Sequence, residues 1–156
     1  MDKVTDQELT AWRYFIKAHS KIIENIEHDL SQHKRVPLTT YDVLIALYEA
    51  PDRKLRFGEL NGKVVLSKSG LTRLVDRLER EGLIRRERSE EDRRGAYAAL
   101  TELGEQELRK AWPIYARGIK RYFATPLGES DLQAIGKAFE TIYQRLLLED
   151  QEGTSV

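Results

Sequence analysis

Seven consecutive residues, Ser67-Lys68-Ser69-Gly70-Leu71-Thr72-Arg73, put three hydroxyls, two cations and a glycine within two turns of a helix. None of these residues has a general base or a thiol beside it in sequence. The chemistry they suit is non-covalent recognition of an anion. Ser67, Lys68, Ser69 and Thr72 are of the types that bind phosphate oxygens, and Gly70 lets a backbone approach closely. Arg73 carries a planar fork of donors, which can grip the two acceptors of a guanine edge together. Arg77, four residues on, adds charge. A second cationic set follows: Arg85, Arg86, Arg88, Arg93 and Arg94. Arginines at the tip of an extended hairpin suit a narrow minor groove, where the potential is most negative. Asp92 is the wrong sign for a polyanion, so we assign it to holding Arg94 or Arg86 in place through a fork-shaped ion pair.

These groups need elements to aim them. Leu71, Leu74, Val75 and Leu78 recur at i, i+3, i+4 and i+7, the core stripe of a helix that Ser67 caps and Gly82 stops near Glu81. That stripe turns Ser69, Arg73, Asp76 and Arg80 to the opposite face, with Thr72 and Arg77 on its flanks. A shorter helix from Phe57 to about Val64, weakened by Gly58 and Gly62, precedes it, giving the order and spacing of a helix-turn-helix. The second helix of such a motif enters the major groove N-terminus first, and its free amides attract an anion. Beyond Gly82, Leu83 to Arg88 and Ala96 to Leu100 read as two strands, with the polar stretch Ser89 to Gly95 as a flexible charged tip.

Helices flank this centre. Leu9, Trp12, Ile16, Ile23, Ile26 and Leu30 mark a long helix over 7–32. Pro37 interrupts, and Thr39 with Asp42 predicts a capping box opening a second helix that ends before Pro51. Thr101 predicts the cap of a helix from about Glu102 to Phe123, in which Pro113 should produce a kink or be absorbed by neighbours. After Pro126 and Gly128 a last helix runs from about Glu129 to Leu148. Its residues Leu132, Ile135, Phe139, Ile142 and Leu146 step by threes and fours like a coiled-coil seam. The expected architecture is mainly α with a small β-hairpin wing. One domain over 1–156 holds a winged helix-turn-helix lobe at 36–100, long helices at 7–32 and 102–148, and a loose tail at 149–156.

Composition supports that reading. The chain has 26 basic and 26 acidic residues and no cysteine, which removes disulfides and thiol chemistry. From Arg53 to Arg94, 13 basic residues face 8 acidic ones, a surplus of five positive charges, so the ends are acidic. No apolar run approaches the roughly 20 residues of a membrane span, and the start lacks a secretory leader. We therefore expect a cytoplasmic protein without a membrane partner. His28 and His33 are five apart, not a same-face spacing, and His19 has no ligand pattern around it, so no metal is expected. No Gly-rich phosphate loop and no G-x-S-x-G motif occurs; the chain reads as a non-enzyme without cofactors.

The run from Leu66 to Glu79 resembles the recognition helix of the multiple-antibiotic-resistance regulator (MarR) family. So do Gly82-Leu83-Ile84-Arg85-Arg86, the Asp92-Arg93-Arg94-Gly95 wing, and Leu100-Thr101-Glu102-Leu103-Gly104 behind it. The resemblance covers essentially the whole chain. It departs at Asn61, where the family usually carries a small apolar residue. It implies a winged-helix regulator that binds double-stranded DNA as a homodimer through its first and last helices, here Leu9, Ile16, Leu132, Ile135, Phe139, Ile142 and Leu146. It also implies a small effector, often an aromatic anion, in a cavity near the aromatic residues Trp12, Phe15, Tyr41, Trp112 and Tyr115, with His19 or Arg13 as a polar contact. A winged-helix module that binds protein instead of DNA is the alternative. It would need a neutral or acidic recognition face, which the basic centre does not offer.

Overall fold

The computed structural model describes residues 3–88 and 95–153. Helix α1 is Asp6–Gln32. At its start the Thr5 hydroxyl accepts from the Glu8 amide, and the Glu8 carboxylate accepts from the Thr5 amide, so two otherwise orphaned donors are satisfied reciprocally. Helix α2 is Leu38–Glu49 and does not start at the expected box. Pro37 holds the extended cap position without any side-chain cap, so Thr39 lies inside the helix. The Leu38 amide donates instead to Glu27 of α1, 2.9 Å away. A partner from another helix has replaced the local cap.

A tight turn, Pro51–Arg53, holds Asp52 and Arg53 in the left-handed region, with φ of 54° and 56°. It leads into β1, Lys54–Arg56, a strand that the sequence reading missed. Then come α3 (Phe57–Lys63), α4 (Lys68–Arg80), β2 (Ile84–Arg88) and β3 (Ala96–Leu100). The sheet is therefore three-stranded and antiparallel, in the order β1-β3-β2, rather than a two-stranded hairpin. Leu55 and Arg86 both pair with Ala98, and Arg56 and Glu87 both pair with Tyr97. A third strand explains how so short a hairpin persists, since two strands alone are marginal.

Helix α5 is Glu102–Gly118, capped by the Thr101 hydroxyl and α-helical through Pro113. It does not continue in α form to Phe123, because residues Ile119–Ala124 widen into a π-helical turn. Tyr122 in that turn donates to the Asp29 carboxylate of α1 at 2.8 Å, which holds its hydroxyl proton more tightly than usual. Helix α6 is Glu129–Gly153, so residues 149–153, expected to be loose, continue it.

The core lies in the central lobe. Val43, Leu44 and Leu47 of α2, Leu60 of α3, Val75 and Leu78 of α4 and Ile84 of β2 are fully buried, joined by Ile26 and Leu30 at the end of α1. The whole predicted stripe of α4 is buried. Gly104 lets α5 start against the sheet: a Cβ there would lie 2.1 Å from the Leu83 carbonyl oxygen. No helix among the described residues is long and apolar enough to cross a membrane.

Candidate nucleic-acid interface

Helix α4 is fixed at both ends by short-range chemistry. At the start, Ser67 Oγ accepts from the Gly70 amide at 3.1 Å. Gly70 leaves space for that bond, since a Cβ would sit 3.0 Å from the same hydroxyl. At the end, Gly82 takes φ of 74°, and the amides of Gly82 and Leu83 donate to the carbonyls of Glu79 and Leu78. That pair of bonds satisfies the last carbonyls and turns the chain into β2.

The outward face presents the predicted residues unequally. Lys68, Ser69 and Arg73 are exposed, and Arg73 has no side-chain partner among the described residues. Thr72 is exposed, but its hydroxyl donates to the Lys68 carbonyl at 3.0 Å, which leaves it an acceptor. Arg77 is half tied down. It donates to the Thr40 hydroxyl of α2 at 3.2 Å and lies 3.7 Å from Glu81. Thr40 is only 1% exposed, so this bond also satisfies a buried hydroxyl. Arg73 and Arg77 share a cleft of about 250 Å³ with Thr39, Leu66, Gly70 and Leu74. That cleft is a cationic notch between the ends of α2 and α4.

Arg86 is held by partners the sequence reading did not name. Its guanidinium pairs with Asp76 and reaches Glu79 at 3.4 Å, both on α4, and it lies 5.5 Å over the Phe57 ring of α3. The Arg86 amide also donates to Glu79. One side chain thus joins α3, α4 and β2. It also neutralises Asp76 on the outward face of α4, an acid that would repel a polyanion. The signal available in sequence was the spacing of Asp76 and Glu79, one turn apart on α4 (i, i+3). Their partner lies in the next element, and periodicity does not name it. Asp92, Arg93 and Arg94 lie outside the described residues.

The outer sheet face is ion-paired. Glu87 bonds Arg85 at 2.7 and 2.9 Å and Lys54 at 3.2 Å, and the Arg85 bonds, then that of Lys54, hold its carboxyl below the usual range. Arg56 donates to the Tyr97 hydroxyl at 3.1 Å. Asn61 keeps its polar character at a cost. Its side-chain oxygen is buried without a hydrogen-bond partner among the described residues, the consequence of a polar residue where two helices meet.

The predicted effector residues fall into two groups. Trp12, Phe15 and His19 lie along α1, with Phe15 5.3 Å from Phe139 of α6. Phe15, His19, Ile135 and Phe139 line an apolar groove of about 570 Å³. Tyr41, Trp112 and Tyr115 form a second group between α2 and α5, with ring centroids 4.9 to 6.4 Å apart. Burial raises the Tyr41 and Tyr115 hydroxyls above their ordinary range, and acidic Asp42 raises both further. Of the predicted interface residues, Ile16, Phe139, Ile142 and Leu146 are exposed, and Leu9, Leu132 and Ile135 are partly buried. Among the described residues, no group of His, Asp and Glu is placed to hold a metal ion.

Comparison with known proteins agrees with this geometry. Residues 36–95 match the model of the MarR family. The chain is 31% identical over 123 residues to the HTH-type transcriptional regulator YkoM of Bacillus subtilis, covering 79% of this chain and 78% of that protein. Among solved structures it is similar to AbsC, a MarR family transcriptional regulator from Streptomyces coelicolor, with a TM-score of 0.85 and 32% identity over 94% of this chain and 98% of AbsC. It is also similar to Sco3205 from the same organism, a MarR family regulator solved in complex with DNA, with a TM-score of 0.87 and 28% identity over 94% of this chain and 91% of Sco3205. With relatives matching over most of both chains, this protein belongs to the MarR family of DNA-binding, non-enzymatic transcriptional regulators.

Proposed function

We propose that the protein is a cytoplasmic, homodimeric repressor that binds a pseudo-palindromic operator and responds to a small ligand. The observation that carries the DNA-reading part is Arg73. It is exposed and unpartnered among the described residues, on the outward face of a helix whose capped N-terminus is open to an anion. In this reading Arg73 contacts a base edge, Ser67, Lys68, Ser69 and Thr72 make phosphate or mixed contacts, Gly70 lets the backbone come close to phosphate, and Arg77 adds charge. Arg93 and Arg94 enter the minor groove, with Arg86 and Asp92 holding the wing.

Self-association is supported by the apolar face that α1 and α6 leave open: Trp12, Ile16, Ile142 and Leu146 are each 44% exposed or more. Two-fold symmetry then spaces the half-sites about one helical turn apart, roughly 10 base pairs. The repressor role draws on a relative, the transcriptional repressor MprA of Escherichia coli, 31% identical over 69% of this chain and 60% of MprA.

The test is binding to a labelled fragment from the protein's own upstream region, across a salt series and against unrelated competitor. The expected result is a complex that survives competitor and weakens steeply as counterions return to the phosphates. Arg73→Ala should lose about 1–3 kcal/mol of discrimination at one position of each half-site. A loss spread evenly over all bases would remove Arg73 from base reading. Binding no tighter than to unrelated DNA would count against this fragment as the operator.

A further inference from the structure

The cleft between α2 and α5 has a volume of about 530 Å³, and Tyr41, Tyr48, Glu49, Arg109 and Trp112 are in its walls. Its charges are not balanced. The Arg109 guanidinium is committed to Glu105, by bonds of 2.7 and 3.0 Å, and also reaches the Tyr48 hydroxyl at 3.4 Å. Glu49 is exposed and has no hydrogen-bond or ion-pair partner among the described residues. Its charge acts on the Tyr41 hydroxyl, as does that of Asp42, which lies half-buried behind the aromatic group with Glu27 near it. The carboxylates that act on the Tyr41 hydroxyl are therefore two, and the cations of the cleft, Arg53 and Arg109, gather on the Tyr48 ring instead.

The rings suit a cation. Trp112 is 51% exposed and lies nearly parallel to the buried Tyr41, at 22° and 6.4 Å, so the indole is the aromatic surface that this wall of the cleft offers. An indole face is the strongest cation–π acceptor among the side chains. The protein already uses the neighbouring ring in this way. The Arg53 guanidinium sits 3.6 Å from the centre of Tyr48 and donates to the Tyr48 carbonyl at 2.8 Å. Two non-glycine residues, Asp52 and Arg53, adopt left-handed backbone angles in the turn that places it there. Such angles are costly for side-chain-bearing residues. An organic cation at Trp112 would repeat the same contact one helix away.

The geometry points to a binding site for an aromatic organic cation in the α2–α5 cleft, with the Trp112 face as its platform and Glu49 as its counter-ion. This inference rests on the ligand-responsive part of the proposed function and reverses the ligand charge that the family resemblance implies.

The test uses three compounds of similar shape: benzyltrimethylammonium, benzyl alcohol and phenylacetate. Each is titrated into the full chain carrying Trp12→Phe, which leaves Trp112 as the one tryptophan fluorophore of two. The expected result is saturable quenching with affinity in the order cation, neutral, anion, the cation at least about tenfold tighter than the anion. Glu49→Gln should bring the cation close to the alcohol. If Trp12→Phe fails to fold, the chain carrying Trp112→Phe, compared with the unaltered one, isolates the same signal. Tightest binding by phenylacetate, an unchanged cation preference in Glu49→Gln, or no saturable signal from any compound would overturn the site. The titration needs no DNA, and Glu49 is outside the DNA-reading face. Intact operator binding with no cation binding would therefore sink this inference alone, and cation binding without operator binding would uphold it and count against the operator assignment alone.

Discussion

The central lobe and the terminal helices solve the same packing problem in opposite ways. In the lobe the apolar stripes of α2, α3 and α4 meet each other and the sheet, and Leu44, Leu60 and Leu78 are fully buried. In α6 no described residue is buried, although its apolar residues recur just as regularly. Helix α1 crosses from one regime to the other: Trp12 and Ile16 are exposed, Ile26 and Leu30 buried. Periodicity reports that a stripe exists. It does not report whether the chain itself or a second molecule covers it.

That contrast can be broken most directly by truncating one leucine on each side. Leu44→Ala should cost about 2–5 kcal/mol in unfolding free energy, because a cavity opens in a closed core. Leu146→Ala should leave the isolated chain within about 0.5 kcal/mol but weaken self-association. Denaturant unfolding over a hundredfold range of protein concentration separates the two, since only an association-linked loss depends on concentration. Equal, concentration-independent losses would dissolve the contrast.

A pair of glycines sharpens it. Gly104→Ala should destabilise by about 1–3 kcal/mol, because the new methyl meets the Leu83 backbone. A Cβ at Gly136 on α6 meets nothing within 4 Å, so Gly136→Ala should stabilise by up to about 1 kcal/mol through helix propensity. A loss at Gly136 would place another molecule's surface against it. Arg86→Met removes the link between α4 and β2 and leaves Asp76 and Glu79 unneutralised. The expected cost is about 1 kcal/mol in thermal stability for a half-exposed pair, with a larger loss in DNA affinity measured on the same preparation.

The smallest expected effect concerns Asp42. Burial first, and Glu27 second, raise its carboxyl above the ordinary value of 3.8, so its ionised form opposes folding at neutral pH. Below that value the group is protonated in both states and the opposition is absent. Asp42→Asn should therefore raise the melting temperature at pH 7, and the gain should fade as pH falls toward 3.8. An equal gain at both ends of the range would assign the effect to packing.

What was legible in the sequence was local. The Ser67 cap, the Leu71–Leu78 stripe and the Gly82 stop each depend on residues a few positions apart, and the structure holds all three. Strand β1 was not legible, because three residues rich in charge become a strand only by pairing with β3, over forty positions away. The start of α2 was misread for a similar reason: Glu27 of α1 does what Thr39 was expected to do. At the candidate interface, residue types named the face, but Arg86's partners and Thr40's hold on Arg77 arise from tertiary packing. The five aromatic residues looked like one set in sequence and fall into two groups because they sit on different pairs of helices.

Helix α5 begins where Thr101 bonds the carbonyls of Gly82 and Leu83 behind the wing, and ends where Gly118 meets Ile26 of α1. Its 17 residues form a rod about 25 Å long. A rod pinned at both ends carries phase as well as length. One inserted residue would advance the far end by about 1.5 Å and rotate it by about 100°, so the wing would face another direction relative to α1. Loops absorb insertions; this helix does not. The angular setting of the central lobe relative to α1 is therefore encoded as a residue count in α5.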